Sequence, residues 1–258
     1  MPDRRCKISD TNRAITFLEW TWSAILNQSQ RAKVRSTAFF KMSLRMNFDI
    51  ICFDCDSTLS AIEGIDVLAD RAGCGTEMAA LTNAAMNGEV SLESVYAQRL
   101  ALIKPDKKGI DWLAELYIEK MVQGVAEVFQ QLHQQGKQIH IISGGLKQAI
   151  LPLAEKLNVD ASNVHAVEVL FASNGDYLDF DQLSPLARNG GKAEICAQLK
   201  KADLGLAIVG DGNTDMEAKK AGVFCIGFGG VVARKIVQDQ ADIFVDSPDF
   251  QAVLPYLL

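Results

Sequence analysis

The chain has 258 residues, 48% of them apolar, and a formal net charge of −6, enough to bury a full core and to carry one ordinary domain with a smaller insertion. No apolar run approaches the roughly 20 residues that span a bilayer; the best N-terminal stretch, 14–26, is interrupted by Thr16, Glu19, Thr21 and Ser23. A membrane-embedded pump is therefore excluded, and the acidic balance argues against nucleic-acid binding, which needs basic surface.

The charge is unevenly divided: residues 1–46 hold 9 Lys/Arg against 3 Asp/Glu, and the rest 17 against 29. This head, with Arg4, Arg5, Lys7, Arg13, Arg31, Lys33 and Arg35, has a transit-peptide flavour. The plainer reading is a basic N-terminal extension, disordered or accessory, ahead of a first strand that begins at Asn47. The six cysteines are scattered without a disulfide-framework spacing, so a reducing, cytoplasmic setting is expected. Cys52 and Cys55 make a C-x-x-C with no second pair for zinc. They read as small apolar neighbours of an acidic motif, with an oxidation-sensitive pair as the alternative.

A nearly continuous apolar run at 49–53 predicts a strand buried on both faces. It ends in Phe53-Asp54-Cys55-Asp56-Ser57-Thr58, placing two carboxylates where open α/β sheets bind ligands. Asp54 can attack a phosphorus atom, and Asp56 can protonate the leaving oxygen and then activate water. Thr58 would hold the loop by its hydroxyl. Helical periodicity without a strand follows, at 64–72, 76–86, 92–103 and 110–121. Residues 65–124 are thus expected to form a helical cap inserted into a core of 47–64 and 125–258.

A helix at 125–135, stopped by Gly136, leads to a strand at 138–142 that ends in Ser143-Gly144-Gly145. A hydroxyl and consecutive glycine N–H groups make a phosphate cradle. The next helix, 146–157, contains Pro152, expected to kink or shorten it. Alternation around Asn174-Gly175 predicts a hairpin over 167–180. Lys192 opens a helix over 192–200, where a cation opposes the helix dipole unless an anion compensates. A strand at 206–209 ends in Gly210-Asp211-Gly212-Asn213-Thr214-Asp215. Asp211 can complete a magnesium site with Asp54 and the carbonyl of Asp56, while Asp215 can pair with Lys192. Further pieces are helices at 214–221 and 231–238 and strands at 223–226 and 242–245. Alternating strand and helix predicts a doubly wound, mostly parallel, Rossmann-like sheet.

In this order the motifs at Asp54/Asp56, Ser143, Lys192 and Asp211–Asp215 resemble the haloacid dehalogenase superfamily of phosphohydrolases. Within it the chain is similar, over residues 48–246, to the phosphoserine phosphatase family. That narrower likeness is carried by Glu63-Gly64-Ile65-Asp66-Val67-Leu68-Ala69, Ala85-Met86-Asn87-Gly88-Glu89, Arg99-Leu100-Ala101-Leu102-Ile103 and Gly227-Phe228-Gly229-Gly230 with Arg234.

The resemblance implies a magnesium-dependent phosphomonoesterase that hydrolyses O-phosphoserine through an aspartyl-phosphate on Asp54, the last step of serine biosynthesis. It implies that Glu63 binds the substrate ammonium and Arg99 its carboxylate, with Ser143, Gly144, Gly145, Lys192 and Thr214 around the phosphate. Two departures stand out: Leu92 where many members carry phenylalanine, and Thr214 at a position that varies between Asn and Thr. A related phosphatase or phosphotransferase acting on another small phosphorylated metabolite stays open. The only partner expected is the small phosphomonoester, with no nucleic acid and no membrane; a homodimer is left open.

Overall fold

The computed structural model describes residues 48–87 and 89–258; the expected N-terminal extension and Gly88 lie outside the described residues, as do the side chains of Met86 and Leu92. Strand β1 (Ile50–Phe53) is buried at every position and pairs in parallel on both sides. Its neighbours are β2 (Gln138–Leu146) and β6 (Leu206–Gly210). With β3 (Val164–Val167), β7 (Phe224–Phe228) and β8 (Ile243–Val245) they form a six-stranded sheet in the order β3-β2-β1-β6-β7-β8. Every pairing in it is parallel. The chain builds outward from β1 to β3, then returns to continue at β6, so the topological switch falls between β1 and β6, where ligands of such sheets bind.

Register carries the functional motifs to one edge. Phe53 lies beside Ile141 on one side and Val209 on the other. Asp54 follows Phe53 directly, while Ser143 and Asp211 each follow their partner by two residues. Below this edge the core is continuous: Phe53 meets Phe129 at 4.8 Å and Phe250 at 5.9 Å between ring centroids.

Four helices separate β1 from β2 before the helix that leads into β2: α1 (Gly64–Arg71), α2 (Gly75–Met86), α3 (Leu92–Ile103) and α4 (Lys107–Glu119). In α4 the buried residues Ile110, Leu113, Ala114 and Tyr117 repeat at helical spacing and define the face that packs inward. Asp106 caps its start, accepting from Gly109 N at 2.7 Å. The C-terminal end of α4 is stapled to the loop after β1, with Ala61 N donating to Lys120 O at 2.8 Å and Val122 N to Leu59 O at 2.9 Å. Helix α5 (Val125–Gln134) then leads into β2, and α6 (Lys147–Lys156), α7 (Gly191–Leu199), α8 (Asn213–Met216) and α9 (Lys235–Gln240) complete the core.

Several expectations need correction. The helix expected at 146–157 is α6, 147–156, and continues past Pro152 to Lys156 rather than ending there; the proline removes one ladder bond, and Ala149, Ile150, Leu153 and Ala154 on its buried face hold it in the core. Strand β3 was not expected, because four residues containing a histidine give too short a pattern. The hairpin of β4 (Val169–Phe171) and β5 (Tyr177–Phe180) turns through more than the two-residue Asn174-Gly175 loop. Ala172 N donates to Asp176 O, with Gly175 at φ +88°. The helix read at 214–221 is one α-turn followed by a 3-10 turn, Glu217–Ala221. The one read at 231–238 starts only after Arg234, whose side chain is drawn inward.

Candidate active site

Asp54, Lys192 and Asp215 form a buried chain of charges. Lys192 Nζ lies 2.8 Å from Asp54 Oδ1 and 2.7 Å from Asp215 Oδ1, and Cys55 N donates to the same Asp54 oxygen at 2.8 Å. Burial opposes the charge on Lys192, but Asp215 and Asp54 outweigh it and push the amine's pKa up. Lys192 sits in the first turn of α7 after Gly190, which takes φ +80°. The dipole penalty anticipated from sequence is thus met by two carboxylates. Asp215 also accepts from Gly212 N at 3.0 Å, tying the start of α8 to the same cluster. Gly210 must lack a side chain, because a Cβ there would sit 2.2 Å from the Asp215 carboxyl carbon.

Asp211 stands opposite. Thr58 Oγ1 donates to its Oδ1 at 3.3 Å and Arg234 Nε to its Oδ2 at 3.2 Å. One carboxylate oxygen from each of Asp54, Asp211 and Asp215 lies within 4.8 Å of the others. Burial, then the charge of Asp54, pushes the Asp211 carboxyl up to about 7. Three buried carboxylates in such a space carry more negative charge than Lys192 and Arg234 relieve by themselves. An all-oxygen donor set of this kind fits a hard divalent cation. Asp54 and Asp211 can hold it, with the carbonyl of Asp56 as the neighbouring oxygen; both oxygens of Asp215 already accept, Oδ1 from Lys192 and Oδ2 from Gly212 N, whereas Lys192 and Cys55 N engage only Oδ1 of Asp54.

Asp56 turns its carboxylate away from this cluster. Its Oδ1 accepts from Gly64 N at 2.6 Å and from the Tyr117 hydroxyl at 2.7 Å, and its Oδ2 accepts from Ser143 Oγ at 3.3 Å. Burial and then Asp54 raise its pKa to about 6, against the Gly64 and Tyr117 donors that lower it. A carboxyl near the middle of the neutral range can give and take a proton in successive steps. Ser143 Oγ in turn accepts from Gly145 N at 2.9 Å. Above it Tyr96 donates to Gly144 O at 2.8 Å, so α3 rests on the Ser-Gly-Gly segment, which is the irregular C-terminal end of β2.

Glu63 and Arg99 line the same cleft as Asp54, Asp56, Lys192 and Thr214. Glu63 accepts from Ser57 Oγ at 2.8 Å and lies 3.5 Å from Arg234 Nη2. Ser57 adopts φ +50° to present that hydroxyl. Arg99 pairs with Asp66 at 2.7 Å, while its buried Nε has no hydrogen-bond partner. The same is true of Thr214 Oγ1. Both residues line the cleft, and an unpaired buried polar group beside a cleft is one that a ligand could satisfy.

Asp54, Asp56, Glu63, Arg99, Gly144, Gly145, Lys192, Asp211 and Thr214 thus line one cleft, with Ser143, Thr58 and Asp215 bonded to its walls. Sequence reasoning missed the roles of Tyr96, Tyr117, Asp66 and Arg234. Their partners are far away in the chain, and an aromatic on an apolar helix stripe gives no sign of where its hydroxyl points. Cys55 is explained by its backbone: its carbonyl accepts from Thr58 N, Leu59 N and Ser60 N, closing the acidic loop. Cys52 and Cys55 are both buried free thiols, and Cys196 on α7, then burial, pushes the pKa of the Cys52 thiol up.

Comparison with known proteins agrees with this geometry. The haloacid dehalogenase-like hydrolase family matches over residues 51–220. The phosphoserine phosphatase of Bos taurus is 37% identical over 199 residues, covering 76% of this chain and 88% of that protein. That of Methanocaldococcus jannaschii is 30% identical over 221 residues, covering 81% and 97%. Among solved structures, a substrate-bound phosphoserine phosphatase complex superposes with a TM-score of 0.71 at 26% identity, covering 82% of this chain and 99% of that one. A phosphoserine phosphohydrolase-like protein from Francisella tularensis gives 0.72 at 26% identity, covering 80% and 99%. With the Asp54 loop, Lys192 and the Asp211–Asp215 loop converging at the switch point of a parallel sheet, and with relatives matched along most of their length, the chain belongs to the haloacid dehalogenase-like hydrolases, in their phosphoserine phosphatase branch.

Proposed function

We propose that the chain hydrolyses O-phospho-L-serine to L-serine and inorganic phosphate, with Mg2+ as its divalent ion, and that it serves serine biosynthesis in the cytoplasm. The observation that carries the substrate is that an acidic and a basic side chain, Glu63 and Arg99, line one cleft with Asp54. An ester with both an ammonium and a carboxylate matches them. The names of the relatives support the same ester.

The chemistry follows from the residues. Lys192, Ser143 and the N–H groups of Gly144 and Gly145 at the end of β2 hold the phosphoryl oxygens. A carboxylate oxygen of Asp54 bonds to phosphorus while the bond from phosphorus to the serine oxygen breaks. Asp56 gives its proton to that oxygen and serine leaves. Asp56 then takes a proton from water, whose oxygen bonds to phosphorus as the bond to Asp54 breaks, restoring both carboxyl groups. A bound divalent cation supplies positive charge against the phosphoryl oxygens. Helices α1–α4 act as the cap that shields the cleft from water.

A substrate panel tests this reading: phosphoserine, phosphothreonine, phosphoethanolamine and sugar phosphates, each with and without Mg2+. Phosphoserine with Mg2+ is expected to give the highest kcat/KM. A preference for esters lacking the carboxylate or the ammonium removes Glu63 and Arg99 from substrate binding.

A further inference from the structure

We propose that Tyr117 is a positioning residue for the acid/base carboxylate: its phenol fixes Oδ1 of Asp56, so that Oδ2 is the oxygen that exchanges protons with the leaving group and with water. The inference rests on the reading of Asp56 as acid and base. Tyr117 is wholly buried, and a buried tyrosine hydroxyl needs a partner. Here the partner is the reacting carboxylate itself, at 2.7 Å.

The two oxygens of Asp56 are differently placed. Oδ1 takes two short bonds, from Tyr117 and from Gly64 N at 2.6 Å. Among the described residues Oδ2 has only the longer contact of 3.3 Å with Ser143 Oγ, at the end of β2; a Cβ on Gly145 would stand 2.7 Å from it. Two donors on one oxygen fix the plane of the carboxyl group and leave the other oxygen free to exchange a proton.

Two further observations make this a built arrangement. A Cβ on Gly64 would sit 1.9 Å from the Tyr117 hydroxyl, so the glycine that opens α1 is what lets the phenol reach Asp56. Tyr117 also lies one turn before the staple that joins Lys120 and Val122 to Ala61 and Leu59. The phenol is thereby held to the loop that carries both catalytic aspartates and keeps its position relative to them.

The test compares Tyr117→Phe with wild type on two leaving groups: phosphoserine, whose alkoxide needs a proton, and p-nitrophenyl phosphate, whose phenolate leaves without one. Tyr117→Phe is expected to lose roughly 10- to 100-fold in kcat/KM on phosphoserine and under about threefold on p-nitrophenyl phosphate. A merely structural tyrosine would lower both equally, and that result, or no loss on either ester, overturns the proposal. Should Tyr117→Phe show no cooperative thermal transition, Gly64→Ala, which displaces the hydroxyl and keeps the ring, is read for the same selectivity. If wild type takes another alkyl phosphate in place of phosphoserine, that ester replaces it in the comparison and only the substrate reading fails. A wild type inactive on every ester overturns both.

Discussion

Arg99 and Asp66 form an ion pair of 2.7 Å, with the arginine side chain 4% exposed. Thr82 Oγ1 donates to the same Asp66 oxygen at 2.5 Å. One carboxylate of α1 therefore joins α2 and α3 and occupies one arm of the guanidinium, while Arg99 Nε stays without a partner. A substrate carboxylate would find a donor fork already fixed in orientation, which lowers the entropy of capture.

Asp66→Asn is expected to keep the two hydrogen bonds in weaker form and to loosen Arg99. The predicted outcome is a roughly tenfold rise in KM for phosphoserine with little change in kcat. Phosphoethanolamine, which lacks the carboxylate, should show no such rise. Steady-state kinetics on the two esters read the difference.

Lys192 holds Asp54 and Asp215 together. Lys192→Met leaves those buried carboxylates without their cation, and removing one partner of a buried pair costs about 3–5 kcal/mol. A fall in the denaturation midpoint and loss of turnover are expected together. Asp54→Asn separates the two effects: the amide can still accept from Lys192 and Cys55, so the protein should fold while turnover disappears. Substantial residual turnover in Asp54→Asn would remove Asp54 from the nucleophile role.

Much of this was legible because it is local. The strand 49–53 ends where apolar residues give way to Asp54, and a residue directly after a buried strand has only the sheet edge to occupy. The same holds for Ser143 and Asp211, whose positions follow from register once the strands are found. Helix 92–103 was legible from periodicity alone and is observed with those limits. What could not be read depends on pairings across the chain. Arg234 reaches Asp211, Glu63 and Asn83 Oδ1 at once, three segments with no common sequence signal. Tyr117 follows the apolar stripe of α4 faithfully, and its hydroxyl is the one atom that the stripe does not predict.

The three clustered carboxylates give a prediction for the metal. An ion that binds the folded protein and not the unfolded chain stabilises it in proportion to the logarithm of its concentration once that exceeds Kd. Scanning calorimetry at increasing Mg2+ should show a rising Tm for wild type. Asp211→Asn removes one ligand and part of the repulsion, so its Tm should respond to Mg2+ much less. An equal response in the two proteins would show that Asp211 does not hold the ion.

His140 and His165 give the pH dependence of stability away from the site. They lie on adjacent strands, β2 and β3, with His140 Nδ1 and His165 Nε2 3.1 Å apart and the rings stacked at 5.3 Å. One ring must donate and the other accept, so the pair is matched only while at least one ring is neutral. Burial, then His165, lowers the pKa of His140 to about 4; burial, then Lys147, lowers that of His165. The unfolded chain takes up protons on both rings near their ordinary pKa of about 6.5, before the folded chain does. Stability from this pair is therefore fully present above about pH 6.5 and is lost as pH falls toward 4. His140→Gln carries no titrating group and can still hydrogen-bond His165. Urea denaturation of the two proteins at pH 7.5 and pH 5 should show a smaller loss of stability in the variant. The reverse ordering would mean that His140 takes up a proton more readily in the folded chain than in the unfolded one, and would overturn this reading of the pair.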